Sequence, residues 1–463
     1  MFYNKLLPLV MVGGWCLYST TLQANGEVQE FTLDNGLKLI VKADHRAPVV
    51  VSQIWYKVGS SYESEGKTGL SHLLEHMMFK GTQKYPAGEF SHIMARQGAS
   101  ENAFTHTDFT SYFQTLEKSR LPISFELEAD RMRYLMLNDQ AFAKEKQVVL
   151  EERRSRVEDK PISLMLEQFQ ATAYQTSPYH NPIIGWMSDI ENCTLADLQT
   201  WYQRWYAPNN ATVVVVGDVD AQAVFKLAQQ YFGSLKPSQI TPPPSRPETE
   251  QWGIKRIIVA RPAKLPYLAM GYKTPALTTL AQSDQWEAYA LEVLSYILDG
   301  GNSARLAKYL VRGNQIATST SVDYDLYSRL TTLFSLSGIP TEKHTVAELE
   351  TALREQIQQL QTTLVTQTEL DRIKIRLQAE EVYKRDSSFY QGMQIGMLTT
   401  VGLDWRLLDQ YLDRIKAITP EQIQQVAKKY LLDKNLTVAV LEPQPLANNA
   451  PIDDTQPTTG VIR

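Results

Sequence analysis

The chain has 463 residues, of which 43% are hydrophobic and 21% are charged, as in an ordinary globular protein. This length is sufficient for two or three domains with a substantial core. The formal net charge of -5 and the lack of a basic stripe argue against a nucleic-acid-binding protein.

The first 24 residues are typical of a signal peptide. Lys5 provides a positive charge, an apolar segment runs from Leu6 to about Tyr18, and a small-residue cleavage site ends at Ala24. The apolar segment is about a dozen residues long, whereas roughly 20 are needed to span a membrane. No later segment approaches that length. We therefore expect residues 1–24 to be removed and the mature chain to reach the periplasm without a membrane span.

The cysteine content agrees with that location. The chain has two cysteines, and Cys16 would leave with the signal peptide. Cys193 would then be alone, so no internal disulfide is possible. A secreted protein without disulfides is typical of a bacterial periplasm, and it requires a large hydrophobic core that is stable by itself.

After the signal peptide the sequence predicts a β-hairpin, with Asp34-Asn35-Gly36 as the turn between two apolar strands. The other elements predicted in the first half are a strand at 49–58, helices at 88–97 and 119–137, strands between 102 and 115, a helix at 194–206 and a buried strand at 212–217. Prolines then predict a linker over residues 236–250, because proline continues neither a helix nor a central strand. Beyond the linker we predict a strand near 268–272, a helix at 284–298 and strands between 317 and 337.

The second half of the chain repeats the pattern of the first. Thr194-Leu195-Ala196-Asp197-Leu198 begins a helix that leads to a buried strand, and Thr419-Pro420-Glu421-Gln422-Ile423 begins the same succession 225 residues later. Two copies of one α+β unit are the simplest interpretation. We therefore predict a first domain at 25–235, a homologous second domain at 251–442 and a disordered tail at 443–463.

The sequence His72-Leu73-Leu74-Glu75-His76 has the spacing of a catalytic metal site. Two histidines at i and i+4 project from the same face of a helix, and Glu75 lies beside them. The order H-x-x-E-H is the inverzincin signature. Considered alone, these five residues fit equally well two surface histidines beside a helical glutamate, because short motifs occur by chance.

A third ligand would distinguish these interpretations, since catalytic zinc usually has three protein ligands and a water. The predicted helix at 142–154 carries Glu145 and Glu152 seven residues apart, so both project from nearly the same face, while Glu151 points elsewhere. A carboxylate from this helix would complete a His-His-Glu site. The other glutamate on the same face could then contact the ligands without binding the metal. The alternative for such a helix is a solvated run of charges.

The H-x-x-E-H motif followed about 75 residues later by a glutamate resembles the pitrilysin/insulinase family of zinc metallopeptidases. This family includes the mitochondrial processing peptidase and bacterial two-domain processing proteases. The resemblance implies one Zn²⁺ per chain, with His72, His76 and Glu152 as ligands. It further implies that Glu75 is the general base and Glu145 an auxiliary acidic residue.

The same resemblance implies a fold and a mode of substrate binding. The fold would be α+β, with two homologous domains that each have a mostly antiparallel sheet and helices packed on one face. Asn102-Ala103-Phe104-Thr105 resembles the family's edge strand, whose main chain at Asn102 and Ala103 would pair with an extended peptide. A turn-capping role for Asn102 is the alternative.

The second half lacks the metal-binding residues. We expect the counterpart of the zinc helix at 301–306, which contains neither His nor Glu. In active single-chain relatives this half supplies an arginine and a tyrosine to the substrate. Here Arg312 is present, but Thr318 occupies the position expected for tyrosine. Either a homologous partner subunit donates the pair, in a heterodimer or a homodimer, or Tyr309 or Tyr324 replaces the missing tyrosine.

These observations together predict a periplasmic zinc endopeptidase or oligopeptidase that hydrolyses extended peptides and requires a partner subunit. The competing interpretation is a non-catalytic scaffold or chaperone-like subunit of a peptidase complex, because the family includes inactive members. Such members usually lose the H-x-x-E-H residues, which this chain keeps.

Overall fold

A computed structural model describes residues 28–244 and 246–445 of the chain. The expected signal peptide at 1–24 lies outside the described residues, and so does the expected tail from residue 446 onward. The first residues assigned to that tail belong instead to a strand that ends at Gln444. Among the helices of the described ranges, none combines the length and the apolar composition that crossing a membrane requires.

Six strands of the first half form one sheet. They are β1 (Val28–Thr32), β2 (Lys38–Ala43), β3 (Val49–Tyr56), β4 (Ser100–Thr105), β5 (Thr110–Glu117) and β6 (Ala211–Gly217). Their spatial order is β1-β2-β6-β3-β5-β4, and all neighbours are antiparallel except β2 and β6. Gly36 adopts a φ of 88° in the predicted hairpin turn, a conformation that suits glycine.

Eight helices of the described first half accompany this sheet. They are α1 (Leu70–Met77), α2 (Glu89–Arg96), α3 (Leu121–Tyr134), α4 (Asp139–Arg153), α5 (Pro161–Ala173), α6 (Met187–Asn192), α7 (Leu195–Trp205) and α8 (Ala221–Phe232). A π-helical turn, Arg154–Glu158, continues α4. The sequence predicted α1 to α4 and α7, but it did not predict α5, α6 or α8.

The second half builds a smaller sheet on the same plan. Its strands are β7 (Lys255–Pro262), β8 (Tyr267–Thr274), β9 (Ala317–Asp323), β10 (Thr332–Pro340) and β11 (Leu436–Gln444), in the order β7-β11-β8-β10-β9. Its helices are α9 (Trp286–Asp299), α10 (Val346–Thr362), α11 (Gln367–Arg385), α12 (Ser388–Val401), α13 (Leu407–Ala417) and α14 (Pro420–Tyr430). A π-helix, Leu306–Gly313, lies between α9 and β9.

The two halves correspond strand by strand. The order β2-β6-β3-β5-β4 matches β7-β11-β8-β10-β9, and the one parallel pair, β2–β6 or β7–β11, falls at the same place in each sheet. Thr194 and Thr419 both form capping boxes at the start of the helix before the last strand. The prediction of an α+β fold with two homologous domains is therefore confirmed.

One detail of that prediction is wrong, namely the counterpart of the zinc helix. Between β3 and β4 the chain forms α1 and then α2, and between β8 and β9 it forms α9 and then the π-helix. Residues 301–306 therefore correspond to the start of α2, and α9 corresponds to α1. Gly81 and Gly301, with φ of 91° and 90°, follow α1 and α9 respectively. Helix α9 contains no histidine, so the second half still lacks the metal-binding pair.

Each sheet has one face covered by helices of its own half and the other face covered by a helix of the other half. Helix α12 packs on β3 and β6, where Trp55 and Val214 contact Ile395. Helix α5 packs on β7, β8 and β11, where Phe169 contacts Ala439. The two halves thus exchange one helix each, an arrangement that adds to the expected single layer of helices.

Polar side chains also connect the halves. The Glu248 carboxylate accepts hydrogen bonds from the backbone N–H groups of residues 175–177, at 2.9–3.0 Å, and from Lys273 of β8. Arg329 donates Nε to Asp108 Oδ1 at 2.9 Å. Residues 236–250, predicted as a linker, contain no helix or strand among those that the structure describes, and they contribute Glu248 to this junction.

Candidate metal centre

Helix α1 is anchored at its start by a buried carboxylate. Gly69 is the N-cap with a φ of 86°, and Glu63 accepts hydrogen bonds from the N–H groups of Gly69 and Ser71, both at 2.7 Å. Burial raises the pKa of Glu63 to about 8, although the N–H groups at the helix N-terminus oppose that shift. The Thr68 hydroxyl does not cap the helix, because it donates to Asp189 at 2.7 Å.

The apolar face of α1 fixes the direction of its polar face. The expected core residues of this helix are buried: Leu70, Leu73, Leu74, Met77 and Met78. This face packs into the core beneath the first sheet, and α1 also packs against α4. The other face of α1, with its two histidines, therefore points towards α4.

His72, His76 and Glu152 meet where α1 and α4 pack together. Glu152 Oε2 lies 3.2 Å from His76 Nε2 and 3.9 Å from His72 Nε2. One ligand atom from each residue lies within 4.8 Å of the other two, and within the described ranges this is the one group of three or more such residues that could hold a metal ion. Two imidazole nitrogens and one carboxylate oxygen are the donor set of a catalytic zinc site.

His76 is held by a second carboxylate from α4. Glu145 Oε1 lies 3.1 Å from His76 Nδ1, and Glu145 Oε2 accepts from Lys80 Nζ at 2.7 Å. An Nδ1–H that donates to Glu145 leaves Nε2 free as a ligand facing Glu152, which is how carboxylates orient metal-bound histidines. The other oxygen of Glu152, Oε1, lies 2.9 Å from Arg156 Nη1, so only Oε2 faces the histidines.

The electrostatics of the cluster favour a positive charge between the side chains. Burial lowers the pKa of His72 to about 4. Burial also opposes charge on His76, but its hydrogen bonds to Glu145 and Glu152 outweigh burial and raise the pKa of His76 to about 9. The same bonds outweigh burial at both glutamates and lower the pKa of each carboxyl group. A divalent cation would satisfy these carboxylates in place of the proton on His76.

The buried ring of His72 provides a further test of fit. Its Nδ1 has no hydrogen-bond partner among the residues described, although it is fully buried. The ring is therefore held by packing, with His76 at a centroid distance of 4.7 Å, and its Nε2 points towards Glu152. Zinc fits this arrangement, since all three donors already face one point.

Glu75 lies between His72 and His76 on α1, and its carboxylate contacts the edge strand β4. Its Oε2 accepts a hydrogen bond from Thr105 Oγ1 at 2.6 Å. Burial raises the pKa of Glu75, and the Thr105 hydrogen bond opposes that shift. A carboxylate with a raised pKa next to a metal site is suited to taking up a proton.

Asn102 and Ala103 lie on β4, at the edge of the first sheet. They pair with Phe113 and Tyr112 of β5 on one side, and the other side has no strand partner within the described ranges. The Asn102 side chain is exposed, and its Oδ1 accepts the N–H of Ala103 at 2.9 Å. That bond is local to β4 and caps no turn.

Arg312 is engaged within the second domain. It is exposed at the end of the π-helix, and its guanidinium donates to the carbonyl groups of Asn302 and Ala307. Thr318 lies on β9, where its hydroxyl donates to Pro340 O at 3.4 Å.

The two tyrosines offered as replacements differ in environment. Tyr324 is buried, and its hydroxyl donates to Pro275 O at 2.7 Å, so it is already occupied. Tyr309 is 41% exposed and lies beside Lys308. Of these two tyrosines, Tyr309 is therefore the exposed one.

The second domain has a different contact where its equivalent helices meet. Helix α9 contacts α11 as α1 contacts α4, and there Tyr296 donates its hydroxyl to Glu380 Oε2 at 2.9 Å. In the second domain Tyr296 thus makes the contact with a glutamate of the neighbouring helix that His76 makes in the first domain. The metal-binding set belongs to one domain.

Three polar contacts of the site were not predicted from the sequence, those of Lys80, Thr105 and Arg156. The sequence could have suggested Thr105 as a residue near the substrate strand's binding side. Side chains alternate along a strand, so Thr105 lies on the same side of β4 as Ala103, two residues away. Arg156 had none, since it follows α4 in a π-helical turn whose geometry the helical period does not predict.

Comparison with known proteins identifies the family of the chain. The family model described as Insulinase (Peptidase family M16) matches residues 38–186, and the one described as Peptidase M16 inactive domain matches residues 192–377. Zinc protease PqqE of Helicobacter pylori is 36% identical over 90% of this chain and 93% of its own length. The mitochondrial-processing peptidase subunit beta of Lentinula edodes is 24% identical over 91% of each chain.

Solved structures show the same fold. A protease from Helicobacter pylori superimposes with a TM-score of 0.85 at 33% identity, covering 90% of this chain and all of that one. The first half of the periplasmic protease PqqL from Escherichia coli gives a TM-score of 0.74 at 18% identity, covering 89% and 91%. The second comparison concerns the fold alone.

A two-domain α+β chain with H-x-x-E-H on one helix and a glutamate on the helix packed against it defines a protein of the zinc-metallopeptidase class. The length and identity of the matches specify the family. The chain belongs to the insulinase family, peptidase family M16.

Proposed function

We propose that this chain is a zinc-dependent endopeptidase or oligopeptidase that hydrolyses extended peptides. The observation that carries the proposal is the convergence of His72, His76 and Glu152 within 4.8 Å, with Glu75 beside them. His72 Nε2, His76 Nε2 and Glu152 Oε2 would hold one zinc. When bound, the zinc would supply Lewis-acid polarisation of the peptide carbonyl and acidify a bound water.

The roles of the other residues follow from their contacts. Glu75 would accept a proton from the attacking water and deliver it to the nitrogen of the leaving amine. Glu145 would keep His76 in the tautomer that leaves Nε2 free. The main chain at Asn102 and Ala103 would add an extended peptide to the edge of the first sheet, which gives affinity with little sequence preference.

We further propose that a homologous subunit completes the enzyme, as a heterodimer or a homodimer. Arg312 is bonded within its own domain, and Thr318 is too short to replace a tyrosine. A relative is itself named a subunit of a processing peptidase, which supports this proposal. In the heterodimer the partner would contribute the arginine and the tyrosine to the substrate site of this chain, whereas a second copy of this chain would have the same Thr318.

The periplasm is the proposed location. Residues 1–24 have the composition of a signal peptide, and a protein of the same fold is described as a periplasmic protease.

A non-catalytic scaffold is the second candidate, because one family model is described as an inactive domain. That model matches residues 192–377, however, and all three proposed zinc ligands lie within the other match, at 38–186. The description thus concerns the half that has no metal-binding set, and it leaves the first half as a candidate catalytic domain.

The test measures zinc content by elemental mass spectrometry and hydrolysis of a quenched fluorescent peptide. We expect about one zinc per chain in the wild type and in Glu75→Gln, and loss of zinc in His76→Ala. Glu75→Gln should lower kcat about 10²- to 10⁴-fold, the usual contribution of a general base. His45→Ala is the matched control, since His45 is exposed and contacts Asp218.

Each outcome has a definite meaning. A wild-type chain that binds no zinc would contradict the peptidase proposal and favour the scaffold. Unchanged hydrolysis in Glu75→Gln would contradict the assignment of the general base. High activity from the purified chain alone, without stimulation by a homologous subunit, would contradict the requirement for a partner.

A further inference from the structure

Thr105 makes the contact that joins the edge strand β4 to the proposed general base. It is the last residue of β4, and its Oγ1 donates to Glu75 Oε2 at 2.6 Å, across 30 residues of sequence. The contact therefore links the strand proposed to bind the peptide with the helix that carries the metal-binding histidines.

This hydrogen bond restricts the orientation of the Glu75 carboxylate. A glutamate side chain has three rotatable bonds, and its terminal torsion has a broad minimum, so an unanchored carboxylate would sample many orientations. The Thr105 hydroxyl engages Oε2. The other oxygen, Oε1, would then accept the proton of a water at the metal site. Threonine has a branched Cβ with few χ1 rotamers, which makes it a stiff donor.

The position of Thr105 on β4 adds a connection to the substrate. Residues two apart on a strand lie on the same side, so Thr105 and Ala103 share one side of β4. A peptide that added to the free edge at Asn102 and Ala103 would order the strand from which the Thr105 hydroxyl projects.

We propose that Thr105 is a positioning residue for peptide hydrolysis. It orients the Glu75 carboxylate towards the attacking water and couples this orientation to the strand that holds the substrate. This inference rests on the proposed function, because it presupposes that Glu75 acts as the general base.

The alternative is a purely structural role, in which Thr105 only fastens β4 to α1. The two roles predict different effects. A structural contact would affect stability and substrate affinity, whereas a positioning contact would affect kcat and would need a hydroxyl at this site. Thr105→Val retains the shape of the side chain and removes the hydroxyl, and Thr105→Ser retains the hydroxyl.

The experiment compares Thr105→Val and Thr105→Ser with the wild type in the full mature chain, with and without its partner subunit. We expect the valine variant to lose about 10- to 100-fold in kcat, the effect of removing one hydrogen bond to a charged group, with KM and zinc content unchanged. The serine variant should recover most of the rate.

Thr110→Val is the matched control. Thr110 is the cross-strand neighbour of Thr105, and its hydroxyl donates to Val58 O at 2.9 Å, away from Glu75. This variant should lower the free energy of unfolding while leaving kcat per folded molecule unchanged.

The outcomes separate this inference from the proposed function. If the wild type binds no zinc, the proposed function fails. If the wild type and Glu75→Gln hydrolyse peptide equally, the assignment of Glu75 as the general base fails, and this inference fails with it. If Glu75→Gln is inactive but Thr105→Val retains the wild-type kcat, or raises only KM, the positioning role is overturned and the proposed function stands. A crystal structure of zinc-loaded Thr105→Val tests the same point without activity: an unchanged Glu75 carboxylate would also overturn the inference.

Discussion

Glu145 divides its two carboxylate oxygens between His76 and Lys80, so a residue outside the proposed ligand set restrains the orientation of His76, a proposed ligand. The cationic Lys80 also balances the charge of Glu145. Together they keep the His76 ring in one position before any metal arrives, which lowers the entropic cost of binding the ion.

At this scale we predict that Glu145→Gln weakens zinc binding about 10- to 100-fold, the usual effect of losing a carboxylate behind a histidine ligand. Zinc affinity would be measured by competition with a chelator. Glu151→Gln is the matched control, because Glu151 is exposed on the same helix and pairs with Arg154. Equal affinity in Glu145→Gln and the wild type would show that Glu145 has no part in holding His76.

Helical spacing predicted which of these residues share a helix face, and the family resemblance implied that the two helices meet at one site. His72 and His76 are four residues apart and Glu145 and Glu152 seven, and both spacings lie along one helix face. The contact of Thr105 with Glu75 was not predictable in the same way. It joins a strand to a helix, and no periodicity relates the two.

At the scale of elements, the two exchanged helices are the main departure from the expected fold. Helix α12 covers the outer face of the first sheet, and Gly396 lets it approach Trp55 so closely that a Cβ at Gly396 would lie 2.1 Å from Trp55 Cε2. Gly392 permits a similar approach to Gln53, at 2.9 Å. Helical glycines here serve packing, at some cost in helix propensity.

We therefore predict that Gly396→Ala lowers the free energy of unfolding by about 1–3 kcal/mol, the usual penalty for overpacking a core. The gain in helix propensity from alanine, about 1 kcal/mol, would not offset a clash with a fully buried indole. Urea unfolding followed by circular dichroism would measure the change. Gly253→Ala provides the comparison, since a Cβ there meets nothing within 4 Å, and it should be nearly neutral. A Gly396→Ala variant as stable as Gly253→Ala would disprove the close packing.

The sequence could not predict that α5 and α12 each pack on the sheet of the other half. An apolar face indicates that a helix is buried, but it does not indicate which sheet the helix packs against. The same limit produced the wrong counterpart for the zinc helix. The Gly301 turn and residues 302–306 looked like the start of α1, but only the order of strands shows that α9 comes first. Strand order depends on pairing between distant segments, which local patterns do not encode.

At the scale of the whole molecule, the buried carboxylate of Glu248 connects the two domains through an ion pair and hydrogen bonds. Burial would raise its pKa, but Lys273 and three backbone N–H groups outweigh burial and lower the pKa of Glu248 from 4.5 to about 2. The carboxylate is 3% exposed, so these hydrogen bonds are shielded from solvent.

This shift predicts an acid-sensitive junction. Above about pH 4.5 the ionised Glu248 stabilises the folded chain, by about 3 kcal/mol for a shift of this size. As the pH falls from about 4.5 to about 2, the unfolded chain takes up the proton first and the stabilisation is lost. The stability difference between the wild type and Glu248→Gln, measured by urea unfolding, should therefore be largest at neutral pH and shrink on acidification.

Glu250→Gln serves as the control for this prediction, because Glu250 is 54% exposed and contacts only Lys434 among the ion pairs of the described residues. The free energy of unfolding of the Glu250→Gln variant should equal that of the wild type at every pH. A difference between the wild type and Glu248→Gln that is independent of pH would contradict the ionic character of the Glu248 contacts.

The exchange of helices also bears on how the chain is made. The first sheet is complete once Gly217 has been synthesised, but the helix that covers its outer face ends only at Val401, about 180 residues later. At the usual speed of about 5–20 residues per second, about 10–40 s separate the synthesis of the sheet from that of its covering helix. A first domain that folded before this helix was available would expose the apolar face containing Trp55 and Val214, which is a target for a chaperone that binds apolar strands.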